Sequence, residues 1–116
     1  MSKKSIIQLS EFDITQKIID ALSNVCTRSV LFSVKNESKD VPTIAEELKI
    51  SISTVYKTLS NLEELALAEV DKYVITSDGK KIKLYRSRIG KVEITIEDLE
   101  PKLNLHPNES NSKSAS

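Results

Sequence analysis

Residues 43 to 67 read TIAEELKISISTVYKTLSNLEELAL, and this stretch decides the fold. Thr43 is a good N-cap and Glu46 follows three residues later, the spacing of a capping box. Ile44, Ala45 and Leu48 then give a short helix one apolar face. After Ile50, Ser51 is a second N-cap. From there Ile52, Val55, Leu59, Leu62 and Leu65 recur at steps of three and four, the period of one helix face. The other face carries Ser53, Thr54, Tyr56, Lys57, Ser60, Asn61 and Glu64, so it opens with hydroxyls, a phenol and one cation. Two short helices with a tight turn between them are a helix-turn-helix. A second helix with short hydrogen-bonding groups at its start suits the major groove of DNA, where its free N–H groups also favour a phosphate. The plainer alternative is an antiparallel helix pair that only packs as core.

The run Leu48-Lys49-Ile50-Ser51-Ile52-Ser53-Thr54-Val55-Tyr56-Lys57 resembles the turn and recognition helix of winged-helix repressors of the ArsR and MarR type. The likeness covers residues 43 to 88 well and the ends of the chain poorly. Two positions depart from the pattern. Lys49 and Ala66 stand where that family prefers glycine, so a positive φ there would be strained but tolerated. The resemblance implies an α+β, mainly α, winged helix-turn-helix with a three-helix core, a β-hairpin wing and an extra C-terminal strand. It also implies a short strand around Val41 that pairs with the wing, and a first helix that forms part of a dimer interface.

Downstream of Leu67 the period changes from helical to extended. Residues 68 to 76, AEVDKYVIT, are rich in strand formers, and Asp78-Gly79 within Ser77 to Lys80 is a strong hairpin signal. Residues 81 to 88, KIKLYRSR, return as the second strand, with Ile82 and Leu84 on one face and Lys81, Lys83 and Tyr85 on the other. Between Lys72 and Lys91 stand Lys72, Lys80, Lys81, Lys83, Arg86, Arg88 and Lys91 against the single acid Asp78. Formal net charge is zero, so this hairpin is a local excess that the total conceals. Such a cluster suits phosphates beside the recognition helix. Lysines that only protect an exposed strand edge are the bland alternative.

Upstream, Val41-Pro42 forces an extended entry into the motif, and residues 36 to 40 are a polar loop. Residues 24 to 35 read as a helix around Val30, Leu31 and Val34, in which Cys26 is a small buried hydrophobe and Arg28 a solvated or paired cation. Within 11 to 23, capped by Ser10 or Asp13, Phe12, Ile14, Ile18, Ile19 and Leu22 have helical spacing; they close either the core or a dimer interface. Residues 1 to 9 read as a flexible arm, 10 to 97 as the winged helix-turn-helix domain, 98 to 105 as a short segment in dimer contact, and 106 to 116 as a disordered tail. Within the domain, residues 91 to 97 alternate as a third strand, which would either extend the wing sheet or pair across a dimer axis.

The 116 residues fit one domain, and with 4% aromatics its core must be mostly Leu, Ile and Val, a margin that dimerisation would widen. One cysteine excludes an internal disulfide and any multi-cysteine zinc site, and one histidine (His106) leaves few ligands for other metals. The cysteine pairs of metal-sensing ArsR relatives are missing from Ile44-Ala45-Glu46-Glu47-Leu48. No long apolar run or signal-peptide core occurs, so a cytoplasmic protein without a membrane segment is expected. Neither a phosphate loop nor a nucleophile with its base is present, which argues against an enzyme and against a cofactor. The expected function is sequence-specific binding of double-stranded DNA by a homodimeric transcriptional regulator. Ser51, Ser53, Thr54, Tyr56, Lys57, Ser60 and Asn61 would face DNA from the helix, and Lys80, Lys81 and Lys83 from the wing. A winged-helix protein–protein adaptor is the alternative.

Overall fold

A computed structural model describes residues 3–109, with side chains from residue 13 onward. It contains four helices and two small antiparallel hairpins, an α+β class. Helix α1 spans Lys3–Leu22, α2 Val25–Ser33, α3 Val41–Leu48 and α4 Ile52–Glu64. Strands β1 (Ala68–Ile75) and β2 (Lys81–Ser87) form the first hairpin, and β3 (Ile89–Thr95) and β4 (Lys102–Pro107) the second. Among the described residues no helix is long and apolar enough to cross a membrane.

Helix α1 begins well before the caps proposed at Ser10 and Asp13, so the part of the expected arm that is described is helical. Its sequence, KKSIIQLSEF, holds no glycine or proline to stop a helix. Residues 1 and 2 of the arm, and the surroundings of Phe12, lie outside what is described. The helix ends at an Asn24 cap, whose Oδ1 accepts from the Thr27 amide at 3.0 Å and opens α2. Arg28 donates to the Leu22 carbonyl at 2.7 Å, so it is paired internally at the end of α1.

Helix α3 starts two residues before the predicted cap. Asp40, not Thr43, caps it: Asp40 Oδ1 accepts from the Thr43 amide at 3.0 Å. Pro42 then sits in the first turn, where its missing N–H costs nothing. Val41 is therefore helical. The strand expected there reduces to one bridge at Lys39, whose amide and carbonyl bond those of Tyr85 at 3.1 and 2.8 Å. Lys49 closes α3 in the left-handed conformation (φ 59°), and Ala66 behind α4 has φ 61°. These are the two positions singled out for lacking glycine, and among the described residues they are the only non-glycines with positive φ.

Helix α4 is capped by Ser51, whose Oγ accepts from the Thr54 amide at 3.1 Å. Val55, Leu59 and Leu62 are fully buried as their spacing requires. Ile52 departs from the predicted apolar face. It is 49% exposed, because it stands in the first turn, beyond the edge of the core. The core joins Ile18 and Leu22 of α1, Val30 and Leu31 of α2, Ile44 of α3, the α4 stripe, Leu67 just before β1, and Tyr85 and Ile89 from the strands.

The third strand starts at Ile89, two residues earlier than its alternation suggested, and pairs with β4 rather than extending the first hairpin. Gly90 sits at a register irregularity beside Pro107, where a Cβ would come within 3.1 Å of the Pro107 carbonyl oxygen. Leu103 and Leu105 pack with Val92 against the chain's own core, while Leu99 stays 96% exposed. The tail expected from residue 106 does not begin there. His106 and Pro107 belong to β4, and Asn108 is buried, its Nδ2 donating to the Lys35 and Ser87 carbonyls at 2.8 Å each. The rest of that expected tail, 110–116, lies outside the described residues.

Candidate nucleic-acid interface

The N-terminus of α4 is a knot of hydroxyls. Ser51 Oγ donates to Thr54 Oγ1 at 2.8 Å, and the Ser53 and Ser51 hydroxyls lie 3.2 Å apart. Ser51 and Ser53 are exposed and Thr54 half-buried. One turn on, Tyr56 and Lys57 are exposed, and beyond them Ser60 and Asn61. This face is polar because the opposite one is spent on the core.

The first hairpin is positioned by Tyr85. Its ring is 4% exposed and inserted into the core, so the β2 face it shares with Lys83 and Lys81 turns toward α3 and α4. An open cleft of about 370 Å³ results, lined by the start of α3 (Asp40, Val41, Pro42), Tyr56 of α4, and Lys80 to Lys83 with Tyr85 of the hairpin. The structure thus brings Tyr56, Lys80, Lys81 and Lys83 together. It does not bring Asn61 to them. Asn61 lines a separate groove between α1 and the end of α4, with Ile14, Lys17, Asp20 and Glu64. Ser51, Ser53, Thr54, Lys57 and Ser60 are outside the cleft lining, on the remainder of α4.

Tertiary structure sorts the seven cations of this region. Arg86 Nη1 lies 3.0 Å from Glu69 and Arg88 Nε 3.8 Å from the same carboxylate, and Lys91 lies 3.7 Å from Glu93. Among the described residues no carboxylate pairs with Lys72, Lys80, Lys81 or Lys83. Lys81 instead places its ammonium 4.5 Å from the centre of the Tyr73 ring. Asp40, the acid at the cleft, has one carboxylate oxygen committed to the α3 cap. Burial pushes the Tyr85 phenol above its ordinary pKa, and the Glu63 carboxylate with Tyr56 and Tyr73 adds to the effect. That hydroxyl therefore remains a proton donor at neutral pH.

The turn that presents Lys80 is held by side chains. Thr76 Oγ1 accepts from the Lys80 amide at 3.0 Å, and the Gly79 amide donates to the Thr76 carbonyl at 2.9 Å. Gly79 takes φ 87°, which a side chain would resist. The Thr76 hydroxyl donates to Asp78 and, with backbone amides, holds that carboxyl below its usual range.

Sequence reasoning missed Tyr73 and Ile75. Strict alternation from Ala68 places Val70, Lys72 and Val74 on one face. A bulge between Val70 and Lys72 resets the register, so Tyr73 pairs with Lys83 and Ile75 with Lys81. Asp71, the residue passed over, accepts a hydrogen bond from Ser38 outside the hairpin. No signal inside residues 68 to 76 announces that anchor.

Among the described residues no three His, Cys, Asp or Glu side chains gather as metal ligands. Cys26 is a free, half-buried thiol, and His106 is bonded to Glu93 at 2.9 Å. No protein-family model matches the chain, and no curated protein does so either.

Proposed function

We propose that this protein is a winged helix-turn-helix that binds double-stranded DNA as a transcriptional regulator, with α4 in the major groove and the β1–β2 hairpin on the adjacent backbone or minor groove. The observation that carries this reading is the shared surface. Tyr56 of α4 and three lysines with no carboxylate partner among the described residues, Lys80, Lys81 and Lys83, line one open cleft. A groove with unneutralised cations on a turn held by its own hydrogen bonds is suited to a polyanion. Exposed hydroxyls, Tyr56 and Lys57 on the neighbouring helix supply donors and acceptors of the kind that read base edges. The left-handed turn at Lys49 supports the helix-turn-helix assignment, because it sets the direction in which α4 leaves α3.

The regulator acts as a homodimer on a two-fold-related operator in this reading. Exposed apolar side chains away from the cleft, Ile96 and Leu99 at the tip of the second hairpin, support a protein contact there. The same residues favour a second reading, a winged-helix protein–protein adaptor, in which that tip is the working surface. Fluorescence anisotropy with labelled mixed-sequence duplex DNA over a salt series separates the two. DNA binding predicts micromolar or tighter affinity that falls steeply with salt. Folded protein that fails to bind at low salt sinks the regulator reading and leaves the adaptor.

A further inference from the structure

The first hairpin carries more than charge. Tyr73 is 50% exposed and Ile75 is 66% exposed, and the register places both on the face that bears Lys81 and Lys83. Exposed aromatic and β-branched residues side by side are costly to leave in water. Cross-strand packing accounts for only part of the Tyr73 ring, since the Lys81 ammonium approaches the ring and half of its surface stays open. The result is an apolar strip edged by cations.

We infer that Tyr73 and Ile75 form an apolar seat for the deoxyribose of a DNA backbone whose flanking phosphates are held by Lys81 and Lys83. This rests on the DNA-binding reading above and adds to it two residues and a non-ionic kind of contact. The nucleic-acid backbone alternates an apolar sugar with an anionic phosphate. On the hairpin face each apolar residue of β1 stands across from a cation of β2, Tyr73 from Lys83 and Ile75 from Lys81, so apolar and cationic groups lie side by side. Lys81 and Lys83 stand about 6.8 Å apart along the strand, comparable with the spacing of successive phosphates on one chain of DNA. An apolar protein partner would leave these cations buried and unpaired, whereas a sugar–phosphate chain satisfies both components.

The test compares the parent with Tyr73→Thr, Ile75→Thr, Tyr73→Phe and Lys81→Ala on labelled mixed-sequence duplex DNA at several salt concentrations. Threonine keeps the strand propensity at these exposed sites, and circular dichroism with thermal melting verifies the fold of each variant. Loss of an apolar contact weakens binding without releasing fewer counterions. Tyr73→Thr should therefore bind about five- to tenfold more weakly with an unchanged salt slope, and Ile75→Thr should lose a smaller factor in the same way. Tyr73→Phe should bind like the parent, and Lys81→Ala should flatten the slope. The inference is overturned if Tyr73→Thr binds like the parent, if its slope flattens as in Lys81→Ala, or if Tyr73→Phe is as weak as Tyr73→Thr. A parent that does not bind DNA removes the regulator reading and this contact together, and that failure is seen in the parent rather than in the variants.

Discussion

The two hairpins are of similar length and adjacent in the chain, yet the first is rich in lysine, the second carries more acids than cations, and they are used in opposite ways. In β3–β4, Val92, Leu103 and Leu105 pack on the helical core, and Glu93 gathers Lys91, Asn104 and His106. Lys91 and His106 are thereby engaged within the hairpin, while Lys102 on β4 is exposed. In β1–β2, residues 71–75 of β1 are all exposed, and Lys80, Lys81 and Lys83 find no carboxylate among the described residues. Only the base of this hairpin, around Ala68 and Tyr85, is embedded. Under the proposed function, the contact surface lies where cations remain after the fold has paired Arg86, Arg88 and Lys91.

The strongest way to break this contrast is to remove the unpaired lysines. A Lys80→Ala/Lys81→Ala/Lys83→Ala variant should lose about a hundredfold in DNA affinity at moderate salt, with the log–log salt slope shallower by about two. Lys91→Ala, on the second hairpin, should bind within about twofold of the parent. Equal losses from both variants in anisotropy titrations would erase the distinction between the hairpins.

The structural half of the comparison turns on Asn108, which follows β4 and bonds the turn after α2 through Lys35 and β2 through Ser87. Asn108→Ala should cost about 2 kcal/mol in urea unfolding, because two carbonyls lose a donor in a site that is mostly closed to water. Lys80→Ala should change stability by less than about 0.5 kcal/mol. If the order is reversed, the segment after β4 is not the brace described above.

A sharper question is whether the first hairpin and α4 act on DNA in different ways. Lys57→Ala should weaken binding by about 1 kcal/mol and change the preference at one base position, as read by competition among operator variants after selection. The hairpin lysines should weaken all sequences alike. A Lys57 variant that loses affinity uniformly would make that residue a backbone contact.

The smallest effect concerns the turn that aims α4. Lys49 at φ 59° pays the strain of a side chain in the left-handed region. Lys49→Gly should stabilise the fold by about 0.5 kcal/mol, the relief of strain slightly exceeding the added freedom of the unfolded chain. A loss of stability on thermal or urea unfolding would show that the lysine side chain contributes contacts that outweigh the strain.

Much of the fold was legible in the chain itself. The three- and four-residue steps from Val55 to Leu62, the Ser51 cap and the Asp78-Gly79 turn are local signals, and each depends on residues within one or two turns of backbone. The left-handed turns at Lys49 and Ala66 are local in the same sense. The α3 cap is equally local, and it lies at Asp40 rather than Thr43 because Pro42 is accommodated in the first turn. Other features depend on partners distant in sequence. Residues 106 to 108 are ordered by Lys91, Glu93, Lys35 and Ser87, none of which a polar tail sequence reveals. Asn61 shared a periodicity with the other polar residues of α4, but the approach of α1 put it in another groove.

By itself the sequence determined the helices, the turns and the presence of a basic excess, because propensity, capping and periodicity act over a few residues. Only the tertiary structure decided which cations stay unpaired and which face of β1 meets them. Ion pairing joins Glu69 to Arg86 and Arg88 across strands, and the bulge at Asp71, bonded to Ser38, rotates Tyr73 and Ile75 onto the lysine face. Both depend on contacts between segments that adjacency in the chain does not encode.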